Sequence, residues 1–132
     1  MNVGAESETA YGDYFAWGEI EPKESYVTAT YKLCDNKSLT DISGNAEYDA
    51  ATANWGGKWR MPTEEEMEEL KNSCTWTWNE TKKGYQVIGT NGNSIFMPTA
   101  GYRYDSDLWH IGFDGNYWSS TAKDGPSKYA DA

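Results

Sequence analysis

The feature that most constrains this chain is its supply of large aromatic rings. Seventeen of the 132 residues are Trp or Tyr, whereas Leu, Ile, Val and Phe together number only fifteen. So few aliphatic side chains, combined with a net charge of −10, are otherwise typical of a disordered chain. One aromatic side chain buries about 150–250 Å², however, so the rings can replace the missing aliphatic area. We therefore predict a folded domain with an aromatic core, in which Trp N–H and Tyr O–H groups find polar partners. The tryptophans predicted to lie in this core are Trp55, Trp59, Trp76, Trp78 and Trp118.

Length and charge restrict the class of protein further. The length suits one domain, so residues 1–132 are predicted to form a single unit. Twenty-one acidic residues against eleven basic ones disfavour a nucleic-acid or anionic-lipid partner. No apolar run approaches the roughly 20 residues needed to span a bilayer, and no signal-peptide pattern follows Met1. We expect no nucleic-acid partner and no direct membrane insertion.

The first half of the chain is rich in turn-forming residues. Residues 11–18 predict a short aromatic strand between glycines, and residues 35–45 predict a surface loop. Residues 47–54 predict a short alanine-rich helix that ends at Gly56 and Gly57.

A second helix is indicated more strongly. Thr63 and Glu66 have the spacing of a capping box, and Met67, Leu70 and Cys74 then form one apolar stripe. Because no second acidic wall is apparent in the sequence, we interpret the glutamates of this helix as a solvated face rather than a metal or acid–base site. These are Glu64, Glu65, Glu66, Glu68 and Glu69.

The second half has the pattern of β structure. Residues 84–89 and 94–97 flank Asn91-Gly92, a strong hairpin signal, and Pro98 must end the second strand or lie at a sheet edge. Residues 105–115 predict a polar loop. Two further expectations are a short strand over 116–121 and a tail over 122–132 without a closing apolar strand.

The sequence offers little support for catalysis. His110 is the single histidine, and neither Ser119 nor Ser120 lies in a nucleophile motif. Cys34 and Cys74 form no zinc-binding pattern; they are either two separate thiols or one disulfide. We predict that the chain is not an enzyme and needs no cofactor. Asp105, Asp107 and Asp114 could supply oxygen ligands to calcium, or simply make the loop polar.

Several segments, in this order, resemble one family. They are Asn2-Val-Gly-Ala, residues 11–19, Asn54-Trp-Gly-Gly-Lys-Trp-Arg-Met-Pro-Thr, residues 69–78, residues 91–98, Ala100-Gly-Tyr-Arg and Tyr117-Trp-Ser-Ser-Thr. Over roughly residues 2–121 the chain resembles the Fibrobacter succinogenes major paralogous domain of gut Bacteroidetes. That family is similar to the C-type-lectin-like fold, which also includes formylglycine-generating enzymes and the variable receptors of diversity-generating retroelements.

The resemblance implies an α+β domain with two helices packed on a small twisted antiparallel sheet, and an extracellular or cell-surface location. Family members carry an additional first strand and one or two closing strands, so we expect this chain to lack them. An open sheet edge of this kind favours association, and a homo-oligomer formed through it is one expectation.

The functional prediction concerns residues 102–114, where aromatic rings adjoin aspartates. Such rings stack on sugars or anchor protein interfaces; the alternative is that they only cover the sheet. The predicted ligand-binding residues are Tyr102, Arg103, Tyr104, Asp105, Asp107, Trp109 and His110. The first hypothesis is a non-enzymatic module that recognises a glycan or a protein. The second is an assembly module that accepts a partner strand, and the third is a remote relative of formylglycine-generating enzymes.

Overall fold

A computed structural model describes residues 1–34 and 38–122, and the backbone of residues 130–131. It is a small α+β fold with two α-helices and two antiparallel sheets. Residues 35–37, within the predicted surface loop, lie outside the described residues. The helices are α1 (Ala50–Trp55) and α2 (Glu64–Ser73), with a 3-10 turn at Thr28–Thr30. The strands are β1 (Phe15–Ala16), β2 (Thr75–Asn79), β3 (Gly84–Ile88), β4 (Ser94–Pro98), β5 (Tyr102–Tyr104), β6 (Asp107–Trp109) and β7 (Ala130–Asp131).

Both helices begin at side-chain caps. The Asp49 side chain accepts a hydrogen bond from the Thr52 amide and so starts α1, while Gly56, at φ 65°, ends it. The capping box predicted for α2 is confirmed, because Thr63 Oγ1 accepts from the Glu66 amide and Glu66 Oε2 accepts from the Thr63 amide. The sequence therefore predicted both helices, although α1 begins at Ala50, after its Asp49 cap, rather than at residue 47 as predicted.

The two sheets use different ranges of the chain. Strands β2, β3 and β4 form a meander in that order, and the other sheet has the order β1-β7-β5-β6. The predicted hairpin is confirmed: β3 pairs with β4 across Asn91-Gly92, and Pro98 ends β4 at the sheet edge. Within the described chain, no helix is both long and apolar enough to cross a membrane.

Tyrosine, rather than tryptophan, dominates the buried core. Tyr14, Tyr26 and Tyr31 are buried, and their hydroxyls donate to the carbonyls of Ala100, Tyr14 and Trp17 at 2.6, 2.6 and 2.7 Å. Each ring thereby ties one segment to another through a bond that leaves no phenol unsatisfied. The prediction that buried Tyr O–H groups find polar partners is confirmed.

The predicted tryptophan core is wrong in part. Trp59 and Trp78 are 62% and 38% exposed, while Trp55, Trp76 and Trp118 are half-buried. The half-buried Trp76 and Trp118 do donate their indole N–H groups, to the Leu70 and Phe15 carbonyls. An indole ring at the margin of a small core can bury its edge and still face solvent, which sequence motifs do not reveal.

Three strand predictions also need correction. The strand predicted over 11–18 is limited to β1, because the flanking backbone turns at Gly12 and Gly18 with positive φ. Residues 116–121 form only an isolated bridge, between Thr121 and Asp41. Conversely, the tail does contribute a strand, since β7 lies between β1 and β5. A two-residue strand carries too little periodic signal to be predicted.

Burial of these phenols makes the fold sensitive to alkali. Desolvation raises the pKa of Tyr14, Tyr26 and Tyr31, and raises that of Tyr117 to about 12. A phenol in the unfolded chain ionises with a pKa of about 10, whereas the buried phenol stays neutral to a higher pH. Its contribution to the stability of the fold is therefore complete below pH 10 and is lost as the pH rises towards the folded-state pKa. We expect the free energy of unfolding to fall above pH 10, by about 1.4 kcal/mol per pH unit for each phenol that ionises only in the unfolded chain. Denaturant titrations at pH 8, 10 and 11 measure this; equal free energies at all three would contradict it.

Candidate functional site

The predicted ligand-binding residues lie on one hairpin, which β5 and β6 form. Tyr102 pairs with Trp109 and Tyr104 with Asp107, so these four side chains share one face of the hairpin. Arg103 pairs with Leu108 on the opposite face, and its guanidinium lies 5.8 Å from the ring of the buried Tyr14. The structure therefore separates Arg103, which is half-buried, from the predicted residues beside it.

The hairpin tip is held in place by the segment at residues 25–26. Asp105 and Tyr26 exchange both backbone hydrogen bonds, at 2.8 and 3.0 Å, and Ser25 Oγ donates to Asp105 Oδ1 at 2.8 Å. Asp105 has a φ of 56°, a conformation that aspartate tolerates better than most residues in a tight turn. The tip is thus fixed by tertiary contacts.

The turn that follows β6, at residues 110–114, is held by backbone hydrogen bonds to residues 99 and 101. The Gly112 amide donates to the Thr99 carbonyl at 2.8 Å, and the Gly101 amide donates to the Asp114 carbonyl at 2.7 Å. His110 Nδ1 lies 2.5 Å from Asp114 Oδ2, and its ring meets Tyr102 edge-on at 5.4 Å. A surface held in this way loses little conformational entropy when it binds a partner.

The structure exposes three apolar residues in the segment predicted to be a polar loop, and these were not among the predicted ligand-binding residues. Leu108, Ile111 and Phe113 are exposed, and Phe113, at 84%, is the most exposed large hydrophobic side chain among the described residues. Five of the eleven exposed large hydrophobic residues in the described chain fall between positions 104 and 113. Sequence alone could have indicated them, because Phe113 and Ile111 are apolar side chains isolated among Gly, Asp and Asn.

The carboxylates of this region have separate partners. Asp105 accepts from Ser25 and Asp114 contacts His110, while Asp107 is exposed on β6. Within the described residues there is no group of three or more His, Cys, Asp or Glu side chains that could hold a metal ion.

On α2, Glu66 forms a two-bond ion pair with Arg60, at 2.8 and 2.6 Å. This pair and the capping box lower the pKa of Glu66 to about 2.

The two cysteines are free, half-buried thiols, so the interpretation as separate thiols is confirmed over the disulfide. Ser120 is buried and Ser119 is half-buried with its carbonyl accepting from the Trp17 indole at 2.9 Å. His110 lies on an exposed turn, and its Nδ1 contacts the Asp114 carboxylate.

Two adjoining cavities lie elsewhere in the molecule. The larger, of about 490 Å³, lies between α1, α2, β1 and β4, and the smaller, of about 410 Å³, lies between α2 and the β2–β4 sheet. Both are lined by Met67, Leu70, Met97 and Tyr117. Met67 and Leu70 of α2 therefore face unfilled space and are only half-buried. Cys74, which was predicted to continue this apolar stripe, follows the end of the helix in an extended conformation.

Comparisons of the chain with protein-family models, with curated proteins and with solved structures found no match.

Proposed function

We propose that this chain is a non-enzymatic binding module whose recognition surface is the β5–β6 hairpin with the turn at residues 110–114. The observation that carries the proposal is the concentration of exposed apolar side chains there: Tyr104, Leu108, Trp109, Ile111 and Phe113. Leu108 lies on the face of the hairpin opposite Tyr104 and Trp109, so this surface includes the β6 edge as well as one face. A concentration of exposed apolar side chains in one region marks an interaction surface. Rigid aromatic anchors in such a surface supply much of the binding energy of a protein interface.

A protein partner fits this surface better than a glycan. Sugar recognition relies on aromatic platforms with polar groups around them, and Tyr102, Tyr104 and Trp109 could provide these. Leu108 and Ile111, however, are 39% and 40% exposed and offer nothing to a hydroxyl group. Their burial against another apolar surface would contribute about 25 cal/mol per Å² of area removed from water.

The fold proposal accompanies the functional one. Two helices, short antiparallel strands and long irregular connections are compatible with the C-type-lectin-like domain that the sequence resembles. We propose that assignment, and with it an extracellular or cell-surface location, on the basis of the sequence motifs quoted above. The net charge of −10 supports a partner that is not polyanionic.

A variant series tests the proposed surface. Phe113→Ser and Trp109→Ala should each reduce capture of a protein partner by at least about tenfold, because each removes an exposed apolar anchor. Trp78→Ala, a comparably exposed tryptophan on β2, is the matched control and should bind normally. The measurement is affinity capture from surface proteins, followed by a titration of each captured protein against all three variants, with a glycan array in parallel. Binding that Phe113→Ser and Trp109→Ala leave intact would contradict the proposed surface, and glycan binding alone would contradict the protein partner.

Assembly through a sheet edge is the second candidate. Strand β6 ends the order β1-β7-β5-β6, and its three residues are all exposed. Such an edge can pair with the same edge of a second copy. Sedimentation over a range of protein concentrations separates the two candidates, since a concentration-dependent dimer favours assembly and a monomer with partner affinity favours recognition.

A further inference from the structure

The larger cavity is an apolar groove with adaptable walls. All four methionines of the sequence line it, namely Met1, Met61, Met67 and Met97. Aromatic walls are added by Phe15, Trp55, Trp59, Phe96, Tyr117 and Trp118. Methionine side chains are flexible and polarizable, and they are common at surfaces that accept peptides.

The groove runs along the free edge of β4. Ile95, Phe96 and Met97 all line it, although consecutive side chains of a strand point to opposite faces. A cavity that touches three consecutive residues contacts the backbone edge of the strand as well as the side chains of one face. No described strand lies beyond β4, because the order of this sheet is β2-β3-β4.

The pairing of β4 fixes which of its backbone groups face the groove side. The Gly89 amide donates to the Asn93 carbonyl and the Thr99 amide donates to the Lys83 carbonyl. Hydrogen-bonded and non-bonded pairs alternate in an antiparallel ladder, so Ile95 and Met97 bond to β3. The N–H and C=O groups of Ser94 and Phe96 point the other way, along the free edge.

The opposite wall of the groove also belongs to a sheet edge. Phe15 and Ala16 form β1, the first strand of the order β1-β7-β5-β6, and both line the cavity. The Trp118 indole occupies the Phe15 carbonyl of β1 at 2.8 Å, and the Tyr117 hydroxyl occupies the Pro98 carbonyl at the end of β4. The backbone groups that the β4 edge still offers are therefore those of Ser94 and Phe96. An extended segment in the groove would lie between the two sheets.

The charge around the two cavities indicates the composition of the occupant. Four carboxylates line them, of which Glu66 pairs with Arg60 and Glu19 with Lys23. The other two, Glu64 and Glu68, line the smaller cavity with one cation, Lys71. The chain as a whole carries a net charge of −10. A basic segment is therefore attracted to this groove, and an acidic one is repelled.

We propose that the groove beside β4 binds an extended segment of another polypeptide, with apolar side chains at alternate positions and basic residues at its ends. The segment adds to β4 as a further strand, bonding to the backbone of Ser94 and Phe96. Its apolar side chains enter the space in front of Met67 and Leu70. The five residues of β4 match the length of an ordinary strand. This site is separate from the β5–β6 surface and does not depend on the function proposed for it.

The test uses a labelled peptide in which valine and threonine alternate between two lysines at each end. Binding to the full chain is measured by fluorescence anisotropy at low ionic strength. Three matched peptides serve as comparisons: one with glutamates in place of the lysines, one with N-methyl groups along one backbone edge, and one with the apolar positions changed to serine. We expect each change to weaken binding by at least about fivefold, and added salt to reduce only the effect of the glutamates.

Two variants of the chain locate the site. Ser94→Pro removes an N–H that points away from β3, so it should leave the β3–β4 ladder intact and weaken peptide binding by about tenfold or more. Ser94→Ala keeps that N–H and should bind within about twofold of the unaltered chain. Met67→Trp fills space common to both cavities and should also block the peptide. Thermal unfolding of each variant confirms that it folds.

Each outcome decides the proposal. Loss of binding in Ser94→Pro and Met67→Trp, with retention in Ser94→Ala, supports strand addition. Loss in Met67→Trp alone overturns it in favour of side-chain insertion without backbone pairing. If no peptide binds but the dye 8-anilinonaphthalene-1-sulfonate binds and is blocked in Met67→Trp, the groove is a small-molecule site. If nothing binds, the groove is not a site.

Discussion

Replacing Asp49 with alanine is expected to cost about 3–5 kcal/mol of the free energy of unfolding. The Asp49 side chain is fully buried, and its two oxygens accept three backbone hydrogen bonds. Oδ1 accepts from the Thr52 amide at 3.0 Å, and Oδ2 accepts from the Gly44 and Met61 amides at 2.8 and 2.9 Å. One carboxylate thus caps α1 and joins it to the segments before and after it. Alanine would remove the acceptor of three partly buried amides, and a domain of this size is stable by only about 5–15 kcal/mol.

Two further substitutions separate this mechanism from a general effect of charge. Asp49→Asn keeps one acceptor oxygen but turns an amide towards an N–H, so an intermediate loss is expected. Asp41→Ala is the comparison: this exposed carboxylate accepts one backbone bond, from Ser43 at 3.0 Å, and lies beside the hydroxyl of the buried Ser120, so its loss should cost about 1–2 kcal/mol. Urea titrations followed by tryptophan fluorescence measure all three. Losses for Asp49→Ala no larger than for Asp41→Ala would contradict the assigned role.

The parts of the fold that could be predicted depend on contacts between near neighbours in sequence. The two residues of the capping box, Thr63 and Glu66, are three positions apart. The turn at Asn91-Gly92 is closed by a hydrogen bond from the Gly92 amide to the Gly89 carbonyl, also three positions away. Such signals are complete within a short window. The buried role of Asp49 was not predicted, because the Gly44 and Met61 amides reach it from five and twelve residues away. An aspartate in an alanine-rich segment has the same local pattern whether it is exposed or buried.

In the candidate site, too, the local features could be predicted from the sequence and the features that depend on distant contacts could not. The sequence placed aromatic rings and aspartates together at residues 102–110, and the structure brings most of them to one face of a hairpin. It could not show that β6 lies at a sheet edge, because strand order depends on pairing between distant segments: the other neighbour of β5 is β7, a strand of two residues more than twenty positions away. Exposure of Leu108 and Trp109 follows from that edge. Trp59 was likewise wrongly placed in the core, since it lines the mouth of the larger cavity and is 62% exposed.

Gly101→Ala is expected to disrupt the β5–β6 surface and to destabilise the fold by about 3 kcal/mol or more. Gly101 precedes β5 with a φ of 63°, and a Cβ atom there would lie 2.0 Å from the Trp109 carbonyl oxygen and 2.9 Å from the Ile111 nitrogen. Both obstacles are backbone atoms, so no side-chain rotation relieves the overlap. The hairpin and its turn would have to move away from the Thr99–Gly101 segment, which breaks the Gly101 amide bond to the Asp114 carbonyl.

Gly112→Ala isolates the part of this effect that comes from steric overlap. Gly112 lies in the same turn with a φ of 78°, but nothing lies within 4 Å of the position of its Cβ. This substitution therefore carries only the strain of a left-handed backbone, about 1–2 kcal/mol, and should leave partner capture intact. Gly101→Ala should lower the melting temperature further and abolish capture, because the backbone that carries Trp109 and Ile111 is displaced. Equal melting temperatures for the two variants would show that the close approach of Gly101 to Trp109 does not hold the recognition surface in place.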